Sequence, residues 1–290
     1  MPTATHESTW DARIARAREL ASSRPSARDL LTFYAALAEY QRALAVSARD
    51  LETLDVEAAV ETIPGFLAWL RQNGRSDLAA SVTVDSVASA IALVASGALV
   101  ASGFSRKSTA GAILPAKAGS HESEPHESEP HESEPDESGP DDPAALFVIE
   151  SLLQAFAEVL PSRDTPALGS MPMRCPHCAA LPVAAVLREE GQGAKRFLLC
   201  ALCLQEWECL RIVCPACGEQ DFDKVPVYTA EQFSHVRIDA CDRCHHYVKT
   251  IDLTKDGLAV PCVDDIASVS LDLWARERGY TRIKGNVLGI

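Results

Sequence analysis

From residue 10 to residue 104 apolar side chains recur every three or four positions among Ala, Leu, Arg and Glu. That is the period of amphipathic helices. Within Ser26–Ser47, the positions Leu30, Phe33, Tyr34, Leu37, Tyr40, Gln41 and Leu44 trace one face. Pro25 and Ser26, just ahead of Asp29, carry the signals of a helix start. Breaks are expected at Ile63-Pro64-Gly65 and at Asn73-Gly74. Residues 86–104 carry no charge, but four Ser and two Gly dilute the run, so it reads as a buried helix and not as a membrane span. A later helix should start at Asp142-Pro143 and present Phe147, Leu152, Phe156, Val159 and Leu160 to the N-terminal helices. From Met173 the period changes. Strand-like runs at Leu181–Leu187, Arg196–Cys200 and Val225–Tyr228 alternate with tight turns. Asp264–Arg278 is helical again, with Ile266, Val269, Leu271, Leu273 and Trp274 as apolar positions and Gly279 as its stop.

Between the two helical stretches lies a segment of different character. His-Glu-Ser-Glu-Pro occurs three times from His121 to Pro135, followed by Asp-Glu-Ser-Gly-Pro. Like charges repel and proline cannot sustain a helix, so an extended, disordered linker is expected. The alternative role is weak metal capture by His121, His126 and His131. The predicted fold class is α+β: an all-helical N-terminal domain, two small rubredoxin-like or zinc-ribbon β modules, and a C-terminal helix. The expected boundaries are 1–104 for the first part of the helical domain and 105–142 for the linker. Residues 143–170 give its final helix and a connector, 171–211 and 212–260 the two modules, and 261–290 the C-terminal helix and tail.

Charge sharpens this division. The 27 basic and 41 acidic residues give a net charge of −14, yet residues 121–142 hold ten carboxylates and no Lys or Arg. Outside that segment 27 basic residues stand against 31 acidic ones, so the folded surface is only mildly acidic. This balance argues against a protein whose whole surface binds nucleic acid. The ten cysteines are equally uneven, all lying between Cys175 and Cys262. Met1–Arg13 contains Glu7 and Asp11 and no apolar run, so a signal peptide is not expected. A reducing compartment follows, where clustered thiols are metal ligands or redox groups more often than disulfides.

Eight of the cysteines form four pairs with two intervening residues: Cys175/Cys178, Cys200/Cys203, Cys214/Cys217 and Cys241/Cys244. A tight turn of that length points both sulfurs at one ion, and two such knuckles complete a tetrahedral four-thiolate site. The gaps between successive pairs hold 21, 10 and 23 residues, and both long gaps contain strand-like sequence able to return one knuckle to the other. Sequential pairing is therefore favoured over interleaved or nested pairing. It puts Cys175, Cys178, Cys200 and Cys203 in one site and Cys214, Cys217, Cys241 and Cys244 in the other. Both zinc and iron accept four sulfurs, so the ligand set leaves the metal open. Cys209 and Cys262 read as small buried hydrophobes. His177, His245 and His246 flank knuckles that already have four thiolates each, so they are not expected to be ligands.

The motifs Cys-Pro-His-Cys (175–178), Cys-Ala-Leu-Cys-Leu-Gln-Glu-Trp (200–207), Cys-Pro-Ala-Cys-Gly (214–218) and Cys-Asp-Arg-Cys-His-His-Tyr-Val-Lys (241–249) occur in this order. With Asp264-Asp265-Ile-Ala-Ser, Leu271-Asp272-Leu273 and Gly279-Tyr280, the chain resembles the formate dehydrogenase accessory protein family, FdhE. The helices around Leu30–Leu44 and Asp142–Leu160 are similar to that family's helical domain. The resemblance implies a cytoplasmic maturation factor and not an enzyme. It implies a helical domain with two rubredoxin-like metal modules, iron associated with the cysteines, and the formate dehydrogenase catalytic subunit as partner. The histidine-rich insertion departs from the family pattern. So do Ala179 and Leu204, which follow knuckles where glycine is common. Only Gly218 keeps it.

Two other classes compete. A zinc-ribbon nucleic-acid binder or other adaptor needs a basic face, but residues 171–290 hold 14 Lys or Arg against 16 Asp or Glu. Arg174, Arg188, Lys195 and Arg196 could still cluster locally. A thiol oxidoreductase would need reactive, metal-free thiols. No nucleophile–base pair, phosphate loop or dinucleotide fingerprint appears in the sequence.

Overall fold

The computed structural model describes residues 6–47, 56–95, 142–159 and 173–290. The acidic repeat with His121, His126 and His131, the end of the uncharged run after Ala95, Leu160 and the connector after it lie outside the described residues. The chain is mixed α and β, with helices first, a sheet carrying two four-cysteine clusters, and helix again near the end.

The N-terminal helices are α1 (His6–Ser23), α2 (Arg28–Ser47), α3 (Val56–Glu61), α4 (Ile63–Gln72), α5 (Ser76–Ser81) and α6 (Val84–Ala95), with α7 (Pro143–Ala157) packed among them. Pro25 sits in a short 3₁₀ turn leading into α2. Pro64 falls in the first turn of α4, and Gly74 takes a positive φ of 75° just past its end. Asp142 caps α7, its side chain accepting from the Ala144 amide at 3.0 Å. The buried arc of α2 is wider than the sequence pattern, because Leu31, Ala35, Ala38 and Ala45 are buried as well. The cause is a neighbour on each side, α1 and α7. Similarly α7 is not striped but buried around its circumference from Ala144 to Ala157. Phe33, Tyr40, Phe66, Trp69 and Phe147 form an aromatic cluster with ring centroids 5.2–6.2 Å apart.

The strands are β1 (Pro182–Glu190), β2 (Gly193–Cys200), β3 (Glu206–Cys209), β4 (Val227–Thr229), β5 (Val236–Ala240), β6 (His246–Asp252) and β7 (Thr281–Arg282). They make one sheet in the order β3-β2-β1-β6-β5-β4, with β7 also paired to β6. Each half of the sheet reads knuckle, two antiparallel strands, knuckle, third strand. The halves join through the parallel pairing of β1 with β6, where Ala184 lies opposite Lys249 and Val186 opposite Ile251. The central strands are buried on both faces, as a parallel junction demands.

The C-terminal helical piece divides at Ser268 into α8 (Pro261–Ala267) and α9 (Val269–Glu277). Helix α8 lies against α1, α2, β1 and β6, so it ties the bundle to the sheet. Val263, Ile266 and Ala267 enter the core of the helical layer, while Leu271 and Ala275 of α9 pack with Ala184, Val186 and Tyr247. Arg16 of α1 crosses the same seam. Its Nη2 donates to Asp264 at 2.7 Å and to Asp256 at 2.8 Å.

Candidate metal centres

The knuckles share one backbone geometry. In each, the amide of the leading cysteine donates to the carbonyl five residues on: Cys175 to Ala180, Cys200 to Gln205, Cys214 to Glu219 and Cys241 to His246, at 2.8–3.0 Å. The residue after the second cysteine is left-handed every time: Ala179 (φ 59°), Leu204 (φ 51°), Gly218 (φ 76°) and His245 (φ 57°). Ala179, Leu204 and His245 are the only non-glycine residues with positive φ among the described residues. The missing glycines therefore did not change the turn. The turn imposes a conformation that costs an L residue about 1–2 kcal/mol.

This yields a paired prediction. Ala179 is exposed, so Ala179→Gly relieves strain without losing packing and should raise stability by up to about 1 kcal/mol. At the equivalent position Gly218→Ala should lower it by about 1–2 kcal/mol, because the added Cβ meets only ordinary contact with Met173 and the loss comes from φ. Urea titration of the two variants should show shifts of opposite sign, and equal signs would contradict the shared geometry.

The eight paired cysteines gather sequentially. The sulfurs of Cys175, Cys178, Cys200 and Cys203 lie within 4.8 Å of one another, and so do those of Cys214, Cys217, Cys241 and Cys244. The nearest sulfur pairs are Cys178–Cys200 at 3.3 Å, Cys175–Cys203 at 3.5 Å and Cys178–Cys203 at 3.6 Å in the first cluster, and Cys214–Cys244 at 3.6 Å and Cys217–Cys241 at 3.7 Å in the second. A tetrahedron of thiolates about 2.3 Å from an ion has edges of about 3.8 Å, so both clusters have the size of a four-thiolate cage. Knuckle amides point at sulfur as well: Leu202 and Cys203 donate to Cys200 Sγ at 3.3 and 3.4 Å. Burial pushes Cys200 well up and Cys214 up to about 11, while its sulfur neighbours, Cys178 foremost, pull Cys175 far down. A cation at the centre of either cluster would let all four of its sulfurs ionise. The donor set fits zinc or iron and gives no oxygen or imidazole alternative.

The cages sit differently. The first is packed among Ala157, Ala185, Leu198, Trp207, Cys209 and Val213, and Trp207 is 1% exposed. Gln154 of α7 reaches this knuckle through the Ala201 carbonyl at 3.4 Å. Among the described residues the buried apolar cluster at the second cage adds only Val225 to the cysteines, and Cys217 is exposed. A cleft of about 560 Å³ between the helices and the first module has Arg13, Glu158, Arg188, Cys203, Glu206 and Cys262 in its lining.

The other flagged residues stay outside the cages. Cys209 is buried, and burial raises its thiol to about 11. Cys262 Sγ lies 3.6 Å from the Tyr34 hydroxyl, away from both clusters. His246 Nδ1 lies 2.9 Å from the Cys244 carbonyl, and neither His177 nor His245 joins a four-sulfur group. Each member of the candidate basic cluster is engaged within the molecule, Arg174 through the Ala179 carbonyl at 3.2 Å. Arg188 is paired with Glu206, Lys195 with Glu190 and Glu208, and Arg196 is buried against Asp239. Arg196 also donates to the Val213 carbonyl at 3.0 Å, so it binds the first module to the second.

Sequence spacing missed a charged network below the second knuckle. Lys249 Nζ, fully buried, donates to Asp272 Oδ2 at 2.5 Å, to the Asp265 carbonyl at 2.6 Å and to Ser268 Oγ at 3.3 Å. Arg282 pairs with Asp265 and, at 3.2 Å, with Asp272. The Tyr247 hydroxyl donates to Asp272 at 2.8 Å, and Asn286 Nδ2 to Asp265 at 2.8 Å. Tyr247, Lys249, Asp265, Ser268 and Asp272 lie within the motifs Tyr-Val-Lys, Asp-Asp-Ile-Ala-Ser and Leu-Asp-Leu, which could have suggested the network, whereas Arg282 and Asn286 lie outside them. A separate His235–Asp256–Asp264 group is filled by the Arg16 guanidinium.

Comparison with known proteins points to one family. Residues 174–211 match the FdhE central domain and residues 212–288 the FdhE C-terminal domain. A Protein FdhE homolog from Aquifex aeolicus is 41% identical over 116 residues, covering 40% of this chain and 41% of that protein. One from Haemophilus influenzae is 35% identical over 109 residues, covering 37% of this chain and 35% of that protein. The chain thus spans about two fifths of the length of the curated relatives it matches. The crystal structure of the FdhE protein from Pseudomonas aeruginosa superposes with a TM-score of 0.63 at 20% identity, covering 98% of this chain and 96% of that one. That likeness extends the shared fold to the helical layer.

Proposed function

We propose that this chain, whose residues 174–288 carry the FdhE central and C-terminal domains, is a cytoplasmic accessory factor for formate dehydrogenase. It acts by binding the immature catalytic subunit and not by catalysing a reaction. The observation that carries the reading is the pair of four-thiolate cages set within those two domains. Cys175, Cys178, Cys200 and Cys203 hold one ion, and Cys214, Cys217, Cys241 and Cys244 the other. Iron would supply a one-electron couple at these positions, and zinc a redox-silent clamp. What the chain's own residues do is independent of that choice. The knuckles and the parallel β1–β6 junction hold both cages in one rigid sheet, and α8 fixes the sheet to the helical layer that offers docking surface. Pairing of Arg188, Lys195 and Arg196 within the molecule weighs against a nucleic-acid face.

The test is complementation. Cells lacking their own accessory factor should regain formate dehydrogenase activity when this chain is supplied, and the tagged chain should co-purify with the catalytic subunit. Cys175→Ser, Cys178→Ser, Cys241→Ser or Cys244→Ser should lower bound metal and abolish the rescue. Activity that returns equally without the chain, or rescue by metal-free variants, would overturn the assignment.

A further inference from the structure

The two cages have the same ligands and the same turns, yet they are embedded unequally. In the first, Cys175, Cys200 and Cys203 are buried, and Cys178 is half-buried. Its shell draws on α7, β1, β2 and β3, so opening it means separating the helical layer from the sheet. The cleft beside it reaches Cys203, but that residue is only 4% exposed. In the second cage Cys217 is exposed and Cys244 half-buried, and among the described residues Val225 is the one buried apolar side chain clustered with the sulfurs. The second module's outer strand β4 has only three residues and lies at the sheet edge. Access and local opening both decide how fast a bound ion exchanges, and both favour the second cage.

We propose that the second centre is the exchangeable one, and that Cys217 is the ligand displaced when an external small-molecule thiolate enters. In that substitution the bond between the ion and Cys217 Sγ breaks as a bond to the incoming thiolate sulfur forms. One thiolate replaces another, so charge is conserved and no electron moves. Cys214 and Cys241, both buried, stay bound and hold the ion in place. The first centre is the permanent clamp. The inference rests on the metal-binding reading above and adds a division of labour to it.

The full-length chain, loaded anaerobically with zinc, can be treated with glutathione and a colorimetric zinc chelator while N-ethylmaleimide labelling is followed by peptide mass spectrometry. One ion should leave about tenfold faster than the other. Among the eight ligands the first label should fall on Cys217, with Cys175, Cys200 and Cys203 labelled last. Cys217→Ser should remove the fast phase and leave one slowly released ion. Cys178→Ser should remove the slow phase while the fast one persists. Equal release of both ions, or first labelling at Cys178 or Cys203, would overturn this proposal alone. A chain that takes up no zinc or iron would overturn the metal reading and this proposal with it.

Discussion

Lys249→Met should destabilise the folded chain by about 3–5 kcal/mol, one of the largest effects available to a single substitution here. The side chains at this point are two cations, Lys249 and Arg282, and two anions, Asp265 and Asp272, all buried. Burial pushes Asp265 upward, yet Arg282 and Lys249 carry it below its ordinary value of 3.8. Methionine fills much the same volume but leaves two carboxylates to share one guanidinium in the interior. The double variant Lys249→Met with Asp272→Leu restores the balance and should recover part of the loss, though the Tyr247 hydroxyl loses its acceptor. The shift of the urea midpoint, followed through the fluorescence of buried Trp207, measures both. A single-variant loss under about 1 kcal/mol would show that water reaches the network.

Cys200→Ser should be more damaging still. Cys200 is fully buried, ends β2, and accepts two amide hydrogen bonds on its sulfur. Structural four-ligand sites contribute about 10–16 kcal/mol of apparent binding energy to folding, so one lost ligand in a closed site removes several kcal/mol. Metal content should fall from two ions per chain to one, with early loss of the β1–β2–β3 half on heating. An unchanged two-ion content would disprove the ligand assignment.

How legible this molecule is depends on where its signals are stored. The cysteine spacing encodes the cages because two intervening residues leave one turn geometry, and the long gaps leave room for a strand pair. Helical periodicity revealed α2 and α7 as helices but understated their burial, since each is enclosed by neighbours distant in sequence. Strand β6 was harder. Lys249 and Asp252 interrupt an apolar run, and the carboxylates that neutralise Lys249 come from α8 and α9, distant in sequence. The left-handed turns at Ala179 and Leu204 are marked in the sequence by their place in the knuckle and not by residue type. Neither residue prefers that conformation, and the knuckle enforces it.

The parallel join of β1 to β6 has a consequence for how the chain is made. Ala184 and Val186 leave the ribosome well before Lys249 and Ile251, their partners across the junction. At about 5–20 residues per second, the buried, apolar β1 spends seconds with one edge unpaired. An open apolar edge of that kind invites pairing with other chains. Cys200 and Cys203 are synthesised in that interval, so early closure of the first cage would pin β1 against β2 while its other edge waits. Metal supply during translation would then govern how much of the newborn chain reaches its fold and how much is lost to aggregation.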